Sequence, residues 1–154
     1  EGGRAFERAV KLCSVRPRTK KELRNFLRDK GYVKETIDET MNKLAEYGLC
    51  DDARFCAEYV AAYKSKNGVN KLRADLARLG AEPAAIEAAL EEIDEQEEAA
   101  FAAAERYIRT HPKFDMRKLK AHLYARGFDG SDISAAAARV EEEYDFSDSD
   151  EIYD

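Results

Sequence analysis

The sequence has few of the residues that mark several large classes of protein. Three cysteines in 154 residues are too few, and odd in number, for a disulfide framework. We interpret Cys13, Cys50 and Cys56 as buried or half-buried thiols. No apolar run approaches the roughly 20 residues that cross a bilayer, and the chain shows no secretory signal. These absences predict a cytoplasmic protein that does not engage a membrane.

Motifs for catalysis and for cofactor binding are also missing. No metal ligand stands four residues from His122, so we interpret it as a partly buried or interface residue, and His111 as a helix-terminus residue. The chain has no glycine-rich phosphate loop and no nucleophile elbow. The acidic pair Asp51 and Asp52 is better explained as a helix cap than as a catalytic pair. We therefore expect no enzymatic activity and no metal, nucleotide or covalent cofactor.

The chain instead contains helix-forming residues in a threefold repeat. Ala, Glu, Leu, Lys and Arg dominate the composition, which favours helix. One pattern, with two leucines, a glycine and two aliphatic residues at fixed spacing, occurs three times at offsets of 49 and 47 residues. Its copies are Leu23, Leu27, Gly31, Ile37 and Leu44; Leu72, Leu76, Gly80, Ile86 and Ile93; and Leu119, Leu123, Gly127, Ile133 and Val140. Repeats of this length predict stacked structural units.

Each position in the pattern has a structural reason. The two leucines share one helix face, and the glycine suits the left-handed residue that ends a helix. The aliphatic positions continue as the apolar stripe of a second helix, and a further helix precedes each pair. The sequence predicts an all-α fold of three tandem three-helix repeats in an elongated arrangement. The predicted segments are residues 4–49, 50–94 and 95–144, followed by an acidic disordered tail at 145–154.

The net charge of −6 conceals an uneven distribution. Residues 1–80 carry a net charge of +6, whereas residues 81–154 carry −12. Bases are dense in the first repeat, which predicts a patch for phosphates or an acidic protein surface. The alternative is an ordinary solvated helix face. The candidate partner-binding residues are Arg16, Arg18, Lys20, Lys21, Arg24, Arg28 and Lys30.

Two stretches of the first half resemble the RecX regulatory proteins of bacteria. The first is Arg16-Pro17-Arg18-Thr19 with the leucine–glycine helix after it, and the second is Gly48-Leu49-Cys50-Asp51-Asp52-Ala53-Arg54-Phe55-Cys56. Cys50 stands where the family usually has an aliphatic residue, and Cys56 where it usually has alanine. The resemblance covers about residues 5–144 and is densest over 16–80.

The resemblance implies a partner and a role. RecX-like proteins bind the RecA recombinase filament on single-stranded DNA and restrain its recombinase, ATPase and coprotease activities, in DNA repair, recombination and the SOS response. It implies three helical repeats, no catalysis of its own, and contact with single-stranded DNA that is weak or indirect. We also expect a monomer. Because this chain is acidic in its third repeat and tail, we expect the first repeat to make the main electrostatic contact.

Two other functions remain open. One is a helix-turn-helix-type nucleic-acid-binding module without a RecA partner, since a three-helix unit with a basic second helix can dock on phosphates. Such a reader needs base-contacting side chains on one exposed helix, and the helix expected after Gly31 has more acids than bases. The other is a scaffold of a different helical repeat class.

Overall fold

The structure is a computed structural model that describes residues 1–144, and within that range it contains nine helices and no strand. The predicted acidic tail at 145–154 lies outside the described residues. No helix in the described part is long and apolar enough to cross a membrane. The helices are α1 (Gly2–Val15), α2 (Lys20–Asp29), α3 (Lys34–Glu46), α4 (Asp52–Tyr63), α5 (Val69–Arg78), α6 (Pro83–Glu91), α7 (Glu97–Thr110), α8 (Met116–Ala125) and α9 (Gly130–Tyr144).

The nine helices follow the order of the threefold pattern, so the predicted all-α fold of three three-helix repeats is confirmed. The two leucines of each copy lie on the middle helix of a set, on α2, α5 and α8, and all six are fully buried. The segment boundaries at 49/50 and 94/95, and the elongated arrangement, stay predictions.

The repeat glycines end the middle helices in the same way. Gly31, Gly80 and Gly127 have φ of +89°, +89° and +92°. In each copy the residue after the glycine donates its backbone N–H to the carbonyl of the second leucine, at 3.1–3.2 Å. The glycine N–H donates to the carbonyl of the residue that follows the second leucine, at 2.9–3.0 Å. This pair of bonds is the Schellman motif, and its left-handed residue explains why glycine recurs there.

The chain divides into two compact units. Unit 1 comprises residues 1–60 and 75–89, and unit 2 comprises residues 61–74 and the chain from residue 90 onward. The core of unit 1 contains Leu23, Leu27, Ile37 and Leu44. The core of unit 2 contains the equivalent residues of the third copy, with the fully buried Phe128. In each unit the repeat pattern therefore supplies the centre of the core.

A buried carboxylate holds together three segments of unit 1. Asp52 is 3% exposed; its Oδ1 accepts the N–H of Lys20 at 3.0 Å, and its Oδ2 accepts the N–H of Glu82 at 3.0 Å. The adjacent Thr19 caps α2 in a capping box with Glu22, and its hydroxyl donates to the carbonyl of Leu79 at 2.8 Å. The start of α2, the start of α4 and the loop after α5 are thereby joined.

The two acids that the sequence paired as helix caps have different roles. Asp51 caps α4, because its Oδ1 accepts the N–H of Arg54 at 3.2 Å. Asp52 instead accepts the first N–H of α2, that of Lys20, and so supplements the Thr19 cap from another helix. Its partners lie 32 and 30 residues away in the chain, and local sequence rules for capping do not reach that far.

Unit 2 uses a neutral side chain for the same purpose. The Oε1 of Gln96 accepts the N–H of Val69, the first residue of α5, at 2.9 Å. Its Nε2 donates to the carbonyl of Asn67 at 3.0 Å. Gly68 lies directly against the loop after α8, and a Cβ at this position would come within 2.2 Å of the Gly127 backbone. In both units the start of a middle helix docks on the glycine loop of the following copy.

We predict that alanine at the repeat glycines destabilises the protein to different degrees. Gly31→Ala should cost about 1 kcal/mol, because a Cβ there meets no atom within 4 Å and only the positive φ is strained. Gly127→Ala should cost more, because its Cβ would also lie 2.3 Å from the backbone nitrogen of Lys71. Thermal melts measure the difference. The control is Gly130→Ala, which has neither strain nor a close neighbour; equal midpoints for all the variants would contradict this account of the caps.

We also predict that Asp52→Asn destabilises unit 1 whereas Asp51→Asn does not. An amide has one acceptor oxygen, so one of the two backbone N–H groups now bound by Asp52 would lose its partner, at a cost of about 1.5–3 kcal/mol. Asn caps helices as well as Asp does, so Asp51→Asn should change stability by less than about 0.5 kcal/mol. Urea denaturation compares the two variants. Equal effects would show that the buried carboxylate does not hold the three segments together.

Candidate functional site

The middle helix of the first repeat carries a basic groove. Leu23 and Leu27 turn into the core of unit 1, so the opposite face of α2 is left to polar side chains. The α2 groove has a volume of ≈ 610 Å³ and is open to solvent. Its lining residues are Lys20, Lys21, Arg24, Asn25, Arg28, Asp52, Gly80 and Glu82.

The four cations of the α2 groove are not equally available to a partner. The Lys20 Nζ lies 3.6 Å from a Glu82 carboxylate oxygen, and the Arg24 guanidinium lies 3.0 Å from Asp38 of α3. Lys21 and Arg28 are exposed, and neither has an acidic partner within residues 1–144. Arg28 is held only by a neutral contact, donating to Oδ1 of Asn25 at 2.7 Å. Among the described residues, Lys21 and Arg28 are therefore the groove cations without an acidic partner.

The structure does not bring the other three predicted residues into the α2 groove. Arg16 ends α1, and its Nη2 lies 2.8 Å from a Glu22 carboxylate oxygen. Burial raises the pKa of Glu22, but the hydrogen bonds from Arg16 and from the Thr19 N–H outweigh it and leave that pKa below its ordinary value. Lys30 caps the end of α2, with its Nζ 5.6 Å from the ring centroid of Phe26.

Arg18 lines a separate groove of ≈ 190 Å³ with Cys13, Leu49 and Arg54. Its Nε is buried without a hydrogen-bond partner in the described part of the chain. The sequence grouped Arg18 with the other bases because they are neighbours along the chain. Arg16 and Arg18 lie in the loop before α2 and Lys30 lies at its C-terminal end, outside the stretch that lines the α2 groove.

The three cysteines are in keeping with their interpretation as structural thiols. Cys50 and Cys56 are buried, and Cys13 is partly buried. Burial raises the pKa of Cys56 to about 11 and raises the pKa values of Cys13 and Cys50 as well. All three are therefore protonated at neutral pH, which disfavours roles as nucleophiles or metal ligands. Within residues 1–144 no group of three or more His, Cys, Asp or Glu side chains could hold a metal ion.

Both histidines of unit 2 belong to a stack of rings that sequence reasoning missed. The Tyr107 ring lies 4.1 Å from that of His111 and 4.5 Å from that of His122, centroid to centroid, with interplanar angles of 11° and 29°. His111 caps the end of α7, and His122 on α8 is half-buried. Tyr107 and His111 are one helical turn apart, which is a signal in the sequence, but His122 comes from another helix.

The surroundings of His122 disfavour its charged form. Burial lowers its pKa below the ordinary value of 6.5, and the positive charges of Arg126, His111 and Arg106 lower it further. The folded protein therefore binds this proton more weakly than the unfolded chain does. Acid consequently favours unfolding as the pH falls through 6.5 and below.

We predict that an NMR titration places the pKa of His122 below 6.5. The free energy of unfolding of the native chain should also fall, relative to that of His122→Phe, between about pH 7 and pH 5. Phenylalanine keeps a ring in the stack and cannot take up a proton, so it isolates the titration from the packing. A titration midpoint at or above the ordinary value would contradict the described surroundings of His122.

Comparison with known proteins identifies relatives along most of the chain. A family model described as "RecX, first three-helix domain" matches residues 5–44, which contain α2 and most of its groove. The Regulatory protein RecX of Prosthecochloris aestuarii is 28% identical over 134 residues, covering 84% of this chain and 89% of that protein. The Regulatory protein RecX of Bacillus licheniformis is 31% identical over 150 residues, covering 92% of this chain and 57% of that protein.

A solved structure shows the same fold. The crystal structure of RecX from Lactobacillus salivarius matches with a TM-score of 0.82 at 23% identity, over 91% of this chain and 96% of that one. At that level of identity the likeness establishes the arrangement of the helices rather than a shared site.

Proposed function

The chain belongs to the RecX family of regulatory proteins, and from that premise we propose that it binds the RecA recombinase filament on single-stranded DNA in the cytoplasm. Binding restrains the recombinase, ATPase and coprotease activities of RecA during DNA repair and the SOS response. On this proposal the chain acts through binding and has no catalytic activity of its own.

The observation that carries this proposal is the α2 groove with its two free cations. All four cations of the groove lie in the part of the chain that matches the family's first three-helix domain. Within residues 1–144 Lys21 and Arg28 have no ion pair to break when they meet an anion, whereas Lys20 and Arg24 must leave Glu82 and Asp38. An anionic filament can therefore recruit these two charges at little cost, and an Arg guanidinium can bind a phosphate or a carboxylate in bidentate fashion.

The rigidity of the groove supports a binding role. Asp52 fixes the N-terminal end of α2, and the Gly80 loop packs on Lys21, whose Cβ would lie 2.8 Å from a Cβ at residue 80. A surface that is already ordered loses little entropy when it binds. A protein held in this way on a RecA filament would hinder the DNA exchange and the subunit motions that the filament's activities need.

The alternative helix-turn-helix module fits α3 poorly. That helix has two lysines, at residues 34 and 43, against four acids. Lys34 lies 3.8 Å from Asp38, which also pairs with Arg24. The Lys43 Nζ lies 4.4 Å from the ring centroid of Phe6. A helix with twice as many acids as cations, whose two cations are already engaged, is unsuited to reading bases in a major groove.

We predict that the double variant Lys21→Glu/Arg28→Glu inhibits RecA less and with a flatter dependence on salt. The assay is ATP hydrolysis by RecA on single-stranded DNA, titrated with the protein at several salt concentrations. Losing two ionic contacts should lower the slope of log affinity against log salt by about 1.4 if both cations face single-stranded phosphates.

The matched control is Arg4→Glu/Lys11→Glu, which makes the same two replacements at exposed positions of α1. It should inhibit RecA as the native chain does. If both double variants inhibit equally well, or lose inhibition equally, the α2 groove is not the contact. A pull-down of RecA, with and without single-stranded DNA and a slowly hydrolysed nucleotide, separates loss of binding from loss of inhibition.

A further inference from the structure

A second basic surface lies within the acidic half of the chain. Residues 81–154 contain eight Lys and Arg, and seven of them fall between residues 106 and 126, where Asp115 is the only acid. The middle helix of the third repeat, α8, occupies this segment and has no acidic residue. The net charge of residues 81–154 does not reveal this local excess of positive charge, because the same half also contains 20 Asp and Glu.

The cations of α8 have no acidic partner among the residues that the structure describes. Arg117, Lys118 and Lys120 are exposed, and none of them makes an ion pair in the part of the chain that the structure describes. Arg24 of α2, the equivalent of Lys120 in the first repeat, is by contrast paired with Asp38. Unpaired cations close together repel each other, and an anionic partner would relieve that repulsion.

An aromatic side chain lies among these cations. Tyr124 is 75% exposed and makes no ring contact within residues 1–144. It follows Lys120 by four residues and Arg117 by seven, so the three side chains share one face of the helix. The α8 face, defined as Arg117, Lys120 and Tyr124, extends about 10 Å along the helix axis.

The α8 face rests on a well-packed support. Leu119 and Leu123, on a different side of α8, are fully buried in the core of unit 2. The stack of His122 on Tyr107 also joins α8 to α7. The exposed ring and its neighbouring cations are therefore held on an ordered helix.

We propose that the α8 face binds single-stranded nucleic acid directly, without RecA. Arg117 and Lys120 contact neighbouring phosphates, and a base stacks on the ring of Tyr124. Proteins that bind single-stranded nucleic acid of any base sequence combine cations that contact the phosphates with aromatic rings that stack on the bases. An acidic protein surface would satisfy the cations but would give an isolated, solvent-facing ring no base to stack on.

The test is fluorescence anisotropy of labelled oligo(dT) with the full chain, in the absence of RecA and at several salt concentrations. Arg117→Gln/Lys120→Gln should weaken binding and lower the slope of log affinity against log salt by about 1.4. Tyr124→Ala should weaken binding about tenfold with little change of slope, because stacking releases no counterions. Tyr124→Phe keeps the ring and should bind as the native chain does.

Control variants distinguish binding at the α8 face from nonspecific electrostatic attraction of the oligonucleotide to the protein. Arg4→Gln/Lys11→Gln on α1 removes the same charges and should leave oligo(dT) binding unchanged. The proposal is overturned if oligo(dT) does not bind, if the α8 and α1 variants lose binding equally, or if only Lys21→Glu/Arg28→Glu abolishes it. Displacement of oligo(dT) by poly-glutamate, together with unchanged binding by Tyr124→Ala, would also overturn it in favour of an acidic protein partner. No RecA is present, so none of these outcomes bears on inhibition of RecA.

Discussion

The carboxylate of Asp52 binds the backbone N–H groups of Lys20 and Glu82, and the geometry of unit 1 depends on this pair of hydrogen bonds. A buried carboxylate is costly unless its oxygens are satisfied, and here each oxygen has a backbone partner. The bonds fix where α2 begins relative to the loop before α6. Because Lys20, Gly80 and Glu82 all line the α2 groove, the shape of that groove depends on the same carboxylate.

Unit 2 satisfies the equivalent position with an uncharged side chain. Gln96 accepts the first N–H of α5 and uses its amide hydrogens on the carbonyls of Asn67 and Lys64. A neutral amide needs less compensation on burial than a carboxylate does. In both cases a side chain at the start of the next three-helix set accepts the first N–H of a middle helix. The repeats share this hydrogen bond but not the residue that makes it.

The distribution of charge along the chain differs from the distribution of unpaired charge on the surface. Along the chain, a basic front half and an acidic back half suggest that only the first repeat can meet an anion. On the surface, two bases of α2 are paired with Asp38 and Glu82, whereas the cations of α8 make no ion pair among residues 1–144. Exposed ion pairs contribute little to stability, yet they determine which cations a partner can reach without competition. The two proposed contacts follow from this local pairing rather than from net charge.

The sequence alone determined the features that depend on neighbours along the chain. Leucines four residues apart share a helix face, a glycine after them supplies a positive φ, and Thr19 with Glu22 forms a capping box; each of these rules acts within one or two helical turns. The repeat then fixed the number and order of the helices. Tertiary structure decided the rest, because the partners of Asp52, Arg24 and His122 lie on other helices or loops, 14 to 32 residues away along the chain. Whether a cation is free or paired depends on such distant residues, and no local pattern encodes their distance.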